Sequence, residues 1–80
     1  NIDIVNLECN FDLTVGYPQF VQIEILNESG KRMLTVAARE LAGEKKTNFK
    51  FKAKAFPTGK YTLKIIGEAF TAEQKFFILN

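Results

Sequence analysis

The sequence predicts an all-β protein, one antiparallel β-sandwich of six to seven strands that takes in residues 1–80 as a single domain. Three observations carry that expectation. Residues 5–15 alternate strictly, with Val5, Leu7, Cys9, Phe11, Leu13 and Val15 apolar and Asn6, Glu8, Asn10, Asp12 and Thr14 polar. A strand turns successive side chains to opposite faces, so this period of two leaves one face to bury. The run Phe49-Lys-Phe-Lys-Ala-Lys-Ala-Phe-Pro-Thr-Gly-Lys-Tyr-Thr-Leu-Lys-Ile65 holds two more alternating segments around a Pro-Thr-Gly turn. Turn signals recur at roughly 8–12-residue intervals, the spacing of short antiparallel strands. A sheet with one apolar face needs a cover, and without helices that cover is a second sheet about 10 Å away.

In chain order, residues 5–15 form the first long strand, bent or bulged near Asn10, because typical strands run about five or six residues. Ile2 and Ile4 have the opposite parity, so a register change near Val5 makes them a separate inward-facing strand or a crossing between sheets. Gly16-Tyr17-Pro18-Gln19 is the next connection, since glycine relaxes the backbone and proline cannot donate to a ladder. Val21, Ile23 and Ile25 then alternate with Gln22 and Glu24 up to the turn Asn27-Glu28-Ser29-Gly30, where Gly30 takes a positive φ. Residues 31–36 return antiparallel, and their less regular pattern suits an edge strand.

The stretch Ala37-Ala-Arg-Glu-Leu-Ala-Gly-Glu-Lys-Lys46 has the strongest helix propensity and reads either as one helical turn or as a polar crossing between sheets. The segments 49–55 and 61–65 follow as a hairpin-like pair. Gly67-Glu68 turns the chain, residues 69–72 form a short strand, and Lys75-Phe-Phe-Ile-Leu79 closes it. Apolar side chains on both parities of that last strand imply cover on both sides or a partner chain. The whole suggests an immunoglobulin-like sandwich, without the cysteine and tryptophan hallmarks of antibody domains.

Composition narrows the function classes. With 46% apolar and 25% charged residues, and eight Phe, the chain suits a globular domain rather than a disordered one. A net charge of +2 and no Arg-rich or Arg/aromatic cluster argue against a nucleic-acid partner. No segment approaches the roughly 18 apolar residues of a membrane span. A lone Cys9 and no His leave neither an internal disulfide nor the usual zinc ligand sets, so no cofactor is expected. Cys9 has no His to activate it and falls on the apolar parity, which makes it core rather than nucleophile. Glu24, Glu28, Glu40, Glu44, Glu68 and Glu73 show no spacing that fixes two carboxylates across a cleft, and neither Asp12 nor Asn27-Glu28 sits in a calcium-loop pattern. The chain is therefore expected to be non-catalytic. It starts at Asn1 without Met or signal peptide, as a processed mature protein or an excised C-terminal piece would.

Three segments carry a resemblance. Val21-Gln-Ile-Glu-Ile-Leu-Asn-Glu-Ser-Gly-Lys-Arg-Met33, a polar crossing, Phe56-Pro-Thr-Gly-Lys-Tyr-Thr-Leu-Lys-Ile65 and Gln74-Lys-Phe-Phe-Ile78 together resemble the C-terminal sorting domain of type IX secretion cargo in Bacteroidetes. The wider likeness is to bacterial immunoglobulin-like domains of the flagellar hook-cap type. Gly30 and Lys31 match the first turn, Pro57, Gly59 and Tyr61 the Pro-x-Gly-x-Tyr motif, and Lys75 the closing strand. The resemblance implies a non-catalytic sorting or attachment module of an exported bacterial protein, recognised as a folded sandwich by secretion machinery, with a secreted, periplasmic or cell-surface location.

Physical chemistry gives the same residues local roles. Pro57 fixes one φ, Gly59 lets the chain reverse, and Tyr61 anchors the emerging strand with ring and hydroxyl; Gly30 closes the earlier turn. Lys50, Lys52 and Lys54 share the outer face of one strand, and Lys64 is expected on the same face of its hairpin neighbour. With Lys75 these are the candidate partner-binding residues, for the secretion machinery, a passenger domain or an anionic cell-surface glycan; the alternative is a solvated face whose lysines discourage stray strand pairing. A second reading of function is a small secreted or periplasmic module that binds glycan or protein through Tyr17, Phe20 and Phe56.

Overall fold

The computed structural model of the protein describes residues 3–5 and 7–80. Among the described residues seven strands, numbered in chain order, form two antiparallel sheets. Strands β1 (Asp3–Val5), β2 (Glu8–Leu13) and β5 (Thr47–Lys52) make the smaller, in the order β1-β2-β5. Strands β3 (Gln19–Asn27), β4 (Arg32–Leu41), β6 (Gly59–Ile66) and β7 (Thr71–Ile78) make the larger, in the order β4-β3-β6-β7. No helix occurs among the described residues. The expected all-β sandwich is present.

The alternation read from the sequence builds the core. Cys9 and Phe11 on β2 lie opposite Phe51 and Phe49 on β5, and all four are buried. From the larger sheet Val21, Ile23, Ile25, Tyr61, Leu63, Ile65 and Ile78 face them. Phe51 meets Phe76 edge-on across the gap, with ring centroids 6.2 Å apart, and Phe11 stacks on Phe49 at 5.5 Å. Arg39, exposed on β4, sets its guanidinium 5.4 Å from the Phe49 ring centroid, tying an edge of one sheet to an edge of the other.

The segment 49–65 is not a hairpin. β5 pairs with β2 and β6 with β3 and β7, so the Pro-Thr-Gly segment is a crossover between sheets. Two alternating runs joined by a turn can bury their apolar faces side by side in one sheet or against each other across the core. Alternation alone is equally satisfied by both. Here residues 53–58 separate the strands, too many for a tight two-residue hairpin, and Ala53 and Phe56 are themselves buried in the core.

Other expectations shift similarly. The first long strand is two strands, β1 ending at Val5 and β2 starting at Glu8, rather than one bent near Asn10, and Leu7 before β2 adopts φ 62°. Val5 thus belongs to β1. Ile4 lies opposite Cys9, while Ile2 and Asn6 lie outside the described residues. The helix-favouring stretch continues β4 to Leu41, so the sheet overrides propensity there and only residues 42–46 cross between sheets. Two register shifts, between Ile23/Glu24 and Ile25/Leu26 on β3, let β4 bulge, which explains its irregular pattern. Residues 69–72 and 75–79 do not form two strands, since β7 runs unbroken from Thr71 to Ile78.

Three glycines are demanded by geometry. Gly30 has φ +88° and completes the β3–β4 turn, where its N–H donates to the Asn27 carbonyl at 2.9 Å. Asn27 Oδ1 also accepts the Ser29 and Lys31 N–H groups at 3.0 and 2.9 Å. A Cβ on Gly43 would stand 2.7 Å from Tyr17 Cα, and one on Gly67 would meet the Phe70 ring. Gly59, read from the sequence as the residue that lets the chain reverse, has neither a positive φ nor any atom near its missing Cβ.

Candidate functional site

The best-defined surface feature lies where the chain ends. β7 pairs with β6 over eight consecutive residues, from Gly59 opposite Ile78 to Ile66 opposite Thr71, without a bulge. Beyond it Asn80 folds back on the crossover. Its Nδ2 donates to the Lys54 carbonyl at 2.7 Å and the Phe56 carbonyl at 2.8 Å, and its N–H donates to Thr58 Oγ1 at 2.9 Å. Tyr61 Oη donates to the Pro57 carbonyl at 2.6 Å, and the Tyr61 ring stacks on Phe56 with centroids 5.4 Å apart. Thus Pro57, Gly59 and Tyr61 form one unit with the last residue of the chain.

Around this unit two lysines and exposed apolar side chains stand beside Glu28. Lys60 and Lys75 line shared surface depressions, one of about 210 Å³ with Glu28, Tyr61 and Thr62 and one of about 330 Å³ with Phe76 and Phe77. Phe77 is 53% exposed and Leu79 78% exposed, so the outer parity of β7 is open rather than covered within the chain. Ile78 and Phe76 take the inner parity. The two-sided hydrophobicity of residues 75–79 marks Phe77 and Leu79 as the second apolar face; Lys60 was not singled out in the sequence, and the alternation of β6 is the signal that could have found it.

The predicted lysines do not converge. Lys50 and Lys52 point outward from the smaller sheet, where Lys52 lies opposite Glu8 and Lys50 opposite Asn10. Lys64, expected beside them, is on the larger sheet, between Glu24 on β3 and Glu73 on β7. The two sheets face each other through their apolar sides, so these outward lysines look in opposite directions. Lys54 sits in the crossover, and its backbone carbonyl holds Asn80. Lys75 is on the outer face of β7, opposite Thr62. The four-lysine patch is therefore not formed; Lys64 instead shares the outer face of the larger sheet with Lys60 and Lys75, where it lies opposite Glu73 while Lys60 lies opposite Phe77 and Lys75 opposite Thr62.

At the β2–β3 connection, Tyr17 and Phe20 are exposed, whereas Phe56 is buried and unavailable as a contact. Between them Gln19, only 2% exposed, accepts the Glu68 N–H at 3.0 Å through Oε1, and the Glu68 carboxylate accepts the Phe20 N–H at 2.8 Å. This reciprocal clamp ties the β6–β7 turn to the start of β3; alternation could not reveal it, because Gln19 occupies an inward position that reads as polar. Cys9 is buried, and desolvation pushes its thiol above the usual range, which disfavours the reactive thiolate. No group of three or more potential metal-ligating side chains occurs among the described residues.

A family model described as the secretion system C-terminal sorting domain matches residues 1–79 of the chain. No curated protein and no solved structure matches it.

Proposed function

We propose that this chain, which belongs to the secretion system C-terminal sorting domain family, is read by secretion machinery as a folded surface centred on the end of β7. Membership makes it the sorting domain of a type IX exported protein, one released or attached at the cell surface. The finer reading concerns what is recognised. The observation that carries it is the integration of the C-terminal residues: β7 is hydrogen-bonded along β6 and Asn80 is bound into the crossover. A receptor that read an extended tail would first have to break those bonds. A receptor that reads the fold meets Lys60, Lys75 and Phe77 already arranged.

The chemistry at that surface suits a protein partner. Two ammonium groups beside an exposed aromatic ring favour an acidic, partly apolar counterpart, with the charges accelerating encounter and the ring supplying buried area. The surface depressions are shallow and lack a convergent polar set, so the domain is non-catalytic in this reading and the protein joined to it carries any activity. The Lys50 and Lys52 face, with Glu8 opposite Lys52, is a solvated sheet face.

The test is export of a reporter carrying this domain in type IX-competent cells. Reversing Lys60 and Lys75 to Glu should cut export severalfold while leaving the melting temperature of the purified domain near wild type. Reversing Lys50 and Lys52 should leave export unchanged. Equal effects of the two pairs would refute the assignment of the surface. The exposed Tyr17 and Phe20 favour a second reading, glycan binding, which a glycan array with a Tyr17→Ala/Phe20→Ala control decides.

A further inference from the structure

We infer that the free edge of β7 pairs with β7 of a second copy of this chain, antiparallel and about a two-fold axis at Gln74. This goes beyond the sorting role and does not rest on it. Sheet edges normally carry protection, and β4, the other edge of the larger sheet, is blunted by two bulges. β7 has no bulge over eight residues, its charged side chains Glu73 and Lys75 are of opposite sign, and its outer parity carries the exposed Phe77.

Hydrogen-bond parity decides which register is available. The Gly67 N–H donates to the Phe70 carbonyl at 2.9 Å, which makes Gly67 and Phe70 a hydrogen-bonded pair and, in alternation, turns the even residues of β7 toward β6. The N–H and C=O groups of Thr71, Glu73, Lys75 and Phe77 therefore face the open edge. A second β7 can satisfy them only if odd residues oppose odd residues.

Side-chain chemistry then selects one register. With Gln74 on the axis, Glu73 opposes Lys75 of the second copy and Lys75 opposes its Glu73, both on the outer face. On the inner face the large Phe76 meets the small Ala72 of the second copy, and Gln74 meets Gln74, amide to amide. Moving the axis to Glu73 or to Lys75 sets like charges opposite each other. Only the axis at Gln74 joins opposite charge, complementary size and full use of the edge donors. Such an isologous pair closes on itself and extends the larger sheet across both copies.

The interface is one strand wide, below the roughly 1,200 Å² of stable complexes, so association is weak and concentration-dependent. Sedimentation equilibrium of the isolated domain up to about 1 mM, in low salt, should show a monomer–dimer equilibrium. Lys75→Glu, which has no opposing charge within its own sheet, should weaken dimerisation at least about tenfold, and the swap Glu73→Lys/Lys75→Glu should restore it to within about threefold. A far-ultraviolet spectrum and melt of each variant confirm that the monomer is folded. Wild type that stays monomeric at the top concentration, assembly that continues past the dimer, or a swap no better than Lys75→Glu would each overturn the proposal.

Discussion

Replacing Gly43 by Ala tests the packing of the crossing between sheets at a place where nothing can yield cheaply. The added Cβ would stand 2.7 Å from Tyr17 Cα, 2.9 Å from Tyr17 C and 2.9 Å from Pro18 Cδ. These are backbone and ring atoms, so the two segments must separate by about 0.7 Å before the 3.4 Å of ordinary contact is reached. Overpacking of this kind costs about 1–3 kcal/mol. The same movement pulls on the 2.7 Å hydrogen bond from the Glu44 N–H to the Val15 carbonyl, worth about 1 kcal/mol more. The sum is about 2–4 kcal/mol, which for a domain of this length lowers the melting temperature by about 12–24 °C. Gly59→Ala is the control. With open space around the missing Cβ and no positive φ, it should stabilise by about 0.4–1 kcal/mol through the unfolded chain. Thermal melts followed by far-ultraviolet circular dichroism read both. Gly43→Ala melting within about 3 °C of wild type, or Gly59→Ala falling as far as Gly43→Ala, would refute the placement of that close approach.

Gly30→Ala should lose about 1–2 kcal/mol in urea unfolding, because φ +88° strains a residue that carries a Cβ. Asn80→Ala should lose about 1 kcal/mol through its two side-chain bonds to the crossover, and hydrogen exchange should quicken at Phe56 while the centre of β3 stays protected. The Cys9 thiol is raised above 9.0 by burial, so its protonated form is favoured in the folded state. That contribution is fully present below about pH 9 and is lost as the pH rises past it, because the unfolded chain ionises first. The stability difference between wild type and Cys9→Ala, measured by urea unfolding, should therefore shrink between pH 7.5 and pH 10.5.

Periodicity revealed which residues face the core but not which strand each one joins. Cys9, Phe11, Val21, Ile23, Ile25, Phe49, Phe51, Tyr61, Leu63 and Ile65 are all inward by alternation and all buried. The same alternation is indifferent to whether Phe51 and Tyr61 are neighbours in one sheet or opposed across two, and that indifference misplaced Lys64. Propensity misled at Ala37 to Leu41, where pairing with β3 and the packing of Leu41 outweigh a local preference for helix. The bulges in β4 disguised its period. At the candidate site, Pro57 and Tyr61 were legible because the hydroxyl-to-carbonyl link is local. Asn80 was not, because its partners are more than 20 residues away in sequence, and no pattern marks a terminal asparagine as structural.

Recognition of the folded domain, the central claim, is tested most directly by exporting one reporter in two forms from type IX-competent cells. One form carries residues 1–80 and the other only residues 71–80, the closing strand and its tail. The reporter with the full domain should reach the medium or cell surface, and the reporter with the bare strand should stay inside although it is made in equal amount. Export of both at similar rates would contradict the account, because the signal would then be a linear tail and not the surface that the sandwich builds.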